Sequence, residues 1–227
     1  MIVVPMRAHS ARLPDKHIRK VGGRMLMDYT LEYLKFHNHV EDTIVVTDDI
    51  FIHDYWHKAG FAVVMEEKST DSIFAAAKLA YESWNKDEVE FVHIHLVTTP
   101  FKTPHLFDRM EAQCIDDRNA CITLCDPIIH PMNLWRVNGV QARLPSMIGN
   151  TQDIVQYQVS WNGICLKGEL FEEICLPEMW KVSNFWTRLT LGYIFVPNDP
   201  WVDVDTQRDL RYFEFLLNHH TPYWMPV

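Results

Sequence analysis

Arg7, Arg12, Lys16, Arg19 and Lys20 place five cations within fourteen residues of a 227-residue chain whose formal net charge is -9. The positive charge is local, and a cluster of cations in an acidic chain calls for an anion. Ser10 adds a hydroxyl among them. The loop follows the apolar run Ile2-Val3-Val4, broken at Pro5. It therefore leaves the end of a strand, where open α/β sheets bind phosphates with backbone N–H groups and converging cationic side chains. The alternative for the same residues is a solvated surface turn. Near the other end, Asp203 and Asp205 stand two apart ahead of a helical stretch. They are hard oxygen donors of the kind a divalent cation takes, although an isolated Asp-x-Asp is common.

The elements that must position these residues alternate through the first half. A strand at 2–6 leads to a helix over 25–38, a strand at 43–47 to a helix over 49–59, and a strand at 61–65 to a helix over 70–84. Thr70 or Asp71 can cap that third helix. A strand at 91–97 then leads to a helix over 104–115, with Thr103 as cap and Pro104 at its first position, and a strand at 120–125 follows. Strands joined by helical crossovers predict an α/β fold with a doubly wound, mostly parallel sheet and ligands at the strands' carboxyl ends. From Asp126 to Trp186 the alternation stops. Pro127, Pro131, Pro145 and Pro177, with Trp135, Trp161, Trp180 and Trp186, predict irregular structure and short strands there. Regular signal returns over 191–196 and in a closing helix over 205–219.

The chain length suits one α/β domain spanning 1–227 with an inserted arm at about 126–186. At 48% hydrophobic and 12% aromatic it has the material for a packed core. No apolar run approaches the roughly 20 residues of a membrane span, and the start runs directly into the first strand without a leader pattern, so a cytoplasmic protein is expected. The five cysteines are scattered and read as reduced core residues. Cys121 and Cys125 lack a second pair nearby to complete a metal site. The twelve histidines read as structural or exposed. The acidic balance disfavours nucleic acid as a partner.

The order Arg7, Ser10, Arg12, Leu13, Pro14, Lys16, Ile18, Arg19 resembles the opening signature of the cytidylyltransferases that make CMP-activated sugars, the CMP-N-acetylneuraminate and CMP-KDO synthetases. The resemblance continues in order through Gly22-Gly23, Ile44 to Asp48, the loop Leu96 to Thr103, Asn162-Gly163 ahead of a late strand, and Asp203-Val204-Asp205-Thr206. It implies a Rossmann-like sheet of the nucleotide-diphospho-sugar transferase type, an arm that pairs two subunits into a homodimer, and Mg²⁺-dependent transfer of CMP from CTP to a sugar or sugar phosphate. Arg7 and Lys16 would contact the triphosphate as the catalytic cations, a bidentate fork and a point charge, with Ser10 and Arg12 beside them. Thr47, Asp48, Thr98 and Pro100 would hold base and ribose. Leu96, Lys102, Asn133, Gln152 and Asn162 fall at acceptor positions, and Asp203 and Asp205 at the metal. Asp71 matches an acidic family position as well as a helix cap.

The departures concentrate on the acceptor side. Asn133 stands where the acid-sugar enzymes carry a cation, Gln152 to Trp161 contains no Arg or Lys, and Leu96 replaces a glutamine. The nucleotide half looks retained and the sugar half rewritten, so acidic sugars are expected to be poor substrates unless Arg136, Arg143 or Arg188 restores a carboxylate contact. Two other readings remain open. One is a non-catalytic nucleotide-binding relative; the other is a glycosyltransferase on a related sheet, which would not require the cationic first loop.

Overall fold

In a computed structural model, residues 1–8, 10, 12–66, 73–84, 88–125, 136–138, 141–143, 158–174, 189–196 and 200–225 are described. Strand β1 (Ile2–Met6) lies in the interior of a seven-stranded sheet between β4 (Thr43–Thr47) and β6 (Phe91–Ile94), parallel to both. A proline inside a central strand normally removes a ladder bond. Here the Ile2 N–H bonds Asp42 on the β4 side, whereas the Val3 carbonyl accepts from His95 on the β6 side. Odd-numbered residues thus face β6, and the β6 pairing ends at Val3. Pro5 sits beyond it, where no partner asks for its N–H.

The full strand order is β11-β7-β10-β6-β1-β4-β5, with β5 at Ala62–Met65, β7 at Ala120–Cys125, β10 at Gln158–Lys167 and β11 at Leu191–Phe195. Strand β10 runs antiparallel to both neighbours, and every other pair in this sheet is parallel. Two short antiparallel ribbons complete the strands: β2 (Lys20–Val21) with β3 (Arg24–Met25), and β8 (Arg136–Asn138) with β9 (Gln141–Arg143).

Alternate residues feed two cores, as the pleat requires. Val4 and Met6 of β1 and Val45 of β4 pack with Leu26, Tyr29 and Tyr33 of α1 (Leu26–Phe36), Trp56 of α2 (Ile50–Lys58), Phe107 of α4 (Leu106–Glu111) and Phe213 of α6 (Gln207–Leu217). Val3, Ile44 and Val46 face the other way. They pack with Ala76, Ala77 and Ala80 of α3 (Ile73–Glu82) and with Phe171 of α5 (Gly168–Ile174). Helices cover both faces, so the fold is the doubly wound α/β sheet expected.

Three expectations are corrected. The Asn162-Gly163 pair does not precede a strand but lies inside β10, a ten-residue strand within the stretch read as irregular. The ladder with β7 shifts register between Val159 and Ile164, so the pair is absorbed as an irregularity. A Cβ on Gly163 would stand 3.3 Å from Met110 Sδ, a tight contact that the methionine side chain would have to relieve. The fourth helix is shorter than 104–115. His105 is left-handed at φ 51°, so α4 starts only at Leu106, and the Thr103 carbonyl is taken by the Tyr33 hydroxyl at 3.2 Å rather than by a helical turn. Its C-terminal end closes early in i to i+3 turns from Gln113 to Met110 and from Cys114 to Glu111. The strand expected at 91–97 ends at Ile94. Thr70, Asp71, most of 126–157 and all of 175–188 lie outside the described residues; of the arm expected at about 126–186, the described stretch 158–174 forms β10 and α5 of the main fold. Cys114, Cys121, Cys125 and Cys165 are all buried. No helix among the described residues is long and apolar enough to cross a membrane.

Candidate active site

The chain leaves β1 for β4 on one side and later returns to β6 on the other, so the loops after β1, β4 and β6 meet at a switch in strand order. The first loop is pinned from within. Leu13 is buried in the core, Ser10 Oγ accepts the Leu13 N–H at 3.4 Å, and a 3-10 turn at Lys16–Ile18 buries His17. Burial first, then the charges of Lys16 and Arg7, push the His17 pKa down to about 3, so its imidazole stays neutral beside two cations. The loop is tied to the next strand by Asp48, whose Oδ1 accepts the Ala8 N–H at 2.6 Å.

At the far end of the chain the turn before α6 is fixed by a capping box. Thr206 Oγ1 accepts the Asp209 N–H at 3.3 Å, and Asp209 Oδ2 accepts the N–H groups of Thr206 at 2.7 Å and Asp205 at 3.1 Å. Asp205 is thereby aimed at the first loop. Lys16 Nζ lies 3.0 Å from its Oδ1 and Arg12 Nη2 lies 2.7 Å from its Oδ2. Arg19 instead donates to the Pro14 carbonyl and to Gln207 Oε1, bracing the loop against α6.

Asp203 is brought in by a backbone bond from the Val204 N–H to the Thr98 carbonyl at 2.7 Å. Burial raises its carboxyl pKa, a hydrogen bond from Thr98 opposes this, and the charge of Asp205 raises it further. Lys16 and Lys102 pull it down. Asp203 Oδ1 is buried with no hydrogen-bond partner. The two carboxylates thus feel each other across one residue, flanked by cations, at the junction of the first loop, the Thr98 loop and the start of α6.

Several residues marked by the sequence are engaged within the protein, Lys102 among them. Its ammonium donates to the Leu96 carbonyl at 2.6 Å, Thr99 Oγ1 at 2.7 Å and the Asn162 carbonyl at 3.4 Å, and burial holds its pKa well below the usual lysine range. Leu96 supplies that carbonyl, while its side chain packs on the core at the α3 face. Thr47 is buried and its Oγ1 accepts the Asp49 N–H at 3.1 Å, shaping the turn into α2. Pro100 is buried in the same loop as the half-buried Thr98. Asn162 is buried, its N–H bonded to Thr123 Oγ1 and its Nδ2 to Ser160 Oγ, with Oδ1 left without a partner. Asn133 and Gln152 lie outside the described residues.

The sequence reading passed over two contributors. His17 is one of twelve histidines and carries no spacing signal. Trp201 stands two residues ahead of Asp203, and its Nε1 donates to the Ser160 carbonyl at 3.2 Å, which ties this approach to β10. Its place next to the Asp-x-Asp was the available clue.

A family model described as cytidylyltransferase matches residues 1–126, more than half of the chain. The chain belongs to the cytidylyltransferase family. That span carries this cytidylyltransferase-family protein from β1 to the end of β7, including the first loop, Asp48 and Thr98, and leaves Asp203 and Asp205 outside it. A 3-deoxy-manno-octulosonate cytidylyltransferase of Psychrobacter cryohalolentis is 28% identical over 130 residues, 56% of this chain and 48% of the relative. One from Leptospira interrogans is 30% identical over 79 residues, 33% of this chain and 32% of the relative. The chain spans about half the length of the first curated relatives it matches. Among solved structures, a CMP:2-keto-3-deoxy-manno-octonic acid synthetase complexed with CTP superposes with a TM-score of 0.73 at 15% identity, covering 96% of this chain and 98% of that one. The 4-diphosphocytidyl-2C-methyl-D-erythritol synthase of Anaerococcus prevotii gives 0.66 at 15% identity, covering 96% and 98%. These two likenesses establish the fold.

Proposed function

We propose that this protein transfers CMP from CTP to a sugar or sugar phosphate, with Mg²⁺, releasing pyrophosphate. The observation that carries the reading is the meeting of Lys16 and Arg12 on Asp205 with Asp203 beside it, at the strand ends where the fold binds ligands. The acceptor oxygen attacks the α-phosphorus and forms a P–O bond. The bond from that phosphorus to the β-phosphate oxygen breaks, pyrophosphate leaves, and the acceptor's proton passes to solvent. Charge grows on the leaving oxygens, so positioning and fixed positive charge do most of the work.

In this reading Arg7 and Lys16 hold the triphosphate, with Ser10 and Arg12 along its length. Arg12 and Lys16 spend their charge on Asp205 in the free protein. A triphosphate offers them a stronger anionic partner and releases Asp205. Asp203 and Asp205 suit a Mg²⁺ ion: both are hard oxygen donors, the charge of Asp205 raises the cost of ionising Asp203, and Asp203 keeps a buried oxygen without a partner. The cation, when bound, would neutralise charge on the phosphates and polarise the reacting phosphoryl group. Asp48 and Thr47 would act on the nucleoside indirectly, by setting the loops around it.

The test is incubation with each nucleoside triphosphate, Mg²⁺ and a mixture of sugars and sugar phosphates. Pyrophosphate release that needs both CTP and an acceptor is expected; binding of CTP without release would leave a non-catalytic relative. The homodimer and the cytoplasmic location belong to the same proposal, and light scattering that finds a 26.8 kDa particle would remove the first.

A further inference from the structure

Lys102, in the loop between β6 and α4, is only 4% exposed. A lysine is rarely buried this far unless its charge is met. Three acceptors surround the ammonium: the Leu96 carbonyl at 2.6 Å, Thr99 Oγ1 at 2.7 Å and the Asn162 carbonyl at 3.4 Å. Each of its three protons therefore has a place. The Thr99 hydroxyl also donates to the Leu96 carbonyl at 3.2 Å, which closes the turn around the ammonium. The third acceptor comes from the irregularity in β10. The register with β7 shifts between Val159 and Ile164, and the register with β6 starts only at Ile164, so neither reaches Asn162. Its N–H goes to Thr123 Oγ1 at 3.1 Å, and its carbonyl turns to Lys102.

What this arrangement holds in place is Thr98. Leu96 and Thr99, two of the three residues that Lys102 grips, flank it in the chain. The Thr98 carbonyl accepts the Val204 N–H at 2.7 Å, and the Thr98 side chain hydrogen-bonds Asp203. A second tie starts two residues ahead of Asp203, where Trp201 Nε1 donates to the Ser160 carbonyl at 3.2 Å. Asp203 is thus located by two routes, one through Thr98 and Lys102 and the other through Trp201. Both end on the irregular stretch of β10.

We infer that Lys102 is a positioning residue: its buried ammonium ties the turn from Leu96 to Thr99 onto β10 and, through Thr98, sets where Asp203 stands. The metal-ligand role of Asp203 rests on the nucleotidyl-transfer reading; the tie itself does not. Lys102 and Asp203 also feel each other's charge. The two effects of Lys102 on a cation at Asp203 have opposite signs. A nearby positive charge repels the cation, whereas a carboxylate held in place favours it.

Amide hydrogen exchange by NMR on the full chain tests the tie. Lys102→Met keeps an unbranched apolar side chain and removes the donors, so exchange at Val204 should rise by about ten-fold or more, the equivalent of one hydrogen bond. The His95 amide, bonded to the Val3 carbonyl at 2.9 Å in the adjoining ladder, should change by less than about three-fold. If a thermal melt shows that Lys102→Met does not fold, Thr99→Val, which removes one acceptor, is held to the same two limits. Mn²⁺ binding to the nucleotide-free protein is followed alongside by water-proton relaxation. Loss of positioning in Lys102→Met should weaken Mn²⁺ by about ten-fold, whereas loss of the Lys102 charge alone would tighten it. The inference is overturned if Val204 is unprotected in the wild type, if its exchange is unchanged in the folded variant, if both amides accelerate together, or if the variant binds Mn²⁺ as well or better. A wild-type chain that protects Val204 through Lys102 but binds no Mn²⁺ would sink the metal reading alone.

Discussion

Lys16 and Asp205, 189 residues apart in the chain, meet at 3.0 Å. Neither belongs to the seven-stranded sheet; one sits in a 3-10 turn after β1 and the other just ahead of α6. The pair joins the two ends of the chain beside the loops that follow β1 and β6. The side chains are 12% and 25% exposed, and both stand in loops outside the sheet, so the two hydrophobic cores do not depend on the contact. What matters for the chemistry proposed is that it holds a cation and a carboxylate side by side at the site.

Lys16→Ala should therefore stay folded and lose activity, and Arg7→Ala should do the same. Removing one charge-assisted contact to a triphosphate costs about 1.5–3 kcal/mol, which lowers kcat/KM for CTP by roughly 10- to 150-fold or more if the contact tightens in the transition state. Steady-state kinetics with parallel urea melts check this. Near wild-type kinetics in both variants would move the triphosphate elsewhere.

Asp203→Asn and Asp205→Asn should each raise the Mg²⁺ concentration required for half-maximal rate, because an anionic oxygen ligand is lost. A residue that only shapes the turn would change the melting temperature and leave the metal titration where it was.

His17 gives a pH-dependent stability. Its pKa falls from about 6.5 in the unfolded chain to about 3 in the fold, because burial and the neighbouring Lys16 and Arg7 disfavour the cation. Between those values the unfolded state binds the proton and the native state does not. Stability is full above about pH 6.5 and falls as the pH drops toward 3. From pH 7 to pH 5 the loss is roughly 2 kcal/mol for this one group. His17→Leu should flatten that part of the profile, measured as the difference in urea midpoint between the two pH values. An unchanged slope would mean that other groups set the acid sensitivity.

The first half of the fold was legible because each strand there is a short apolar run followed by a helix with the right period, and the crossovers are local in sequence. Strand β10 was not. Its Asn162-Gly163 pair carries the residues of a turn, and only the partners on either side, β6 and β7, reveal that it is a register irregularity between two ladders. The cationic first loop and the Asp-x-Asp were readable because charge type and spacing survive in one dimension. The fate of Lys102 was not, since a lysine in a polar loop gives no sign that two carbonyls and a hydroxyl from 96, 99 and 162 will take its donors. Helix α4 misled for a related reason: Thr103-Pro104 has the local signature of a helix start, and Tyr33, seventy residues earlier, takes the Thr103 carbonyl.

The most direct measurement of the central claim follows the phosphorus. The protein is incubated with Mg²⁺, acceptor sugars and CTP labelled either at the α-phosphorus or at the γ-phosphorus, and the products are separated. The account predicts that the α-label passes to a sugar product and the γ-label leaves in pyrophosphate, both dependent on Lys16. Transfer of the γ-label to the sugar, or CTP binding with neither label moving across an acceptor panel that includes neutral sugars, acidic sugars and sugar phosphates, would contradict it.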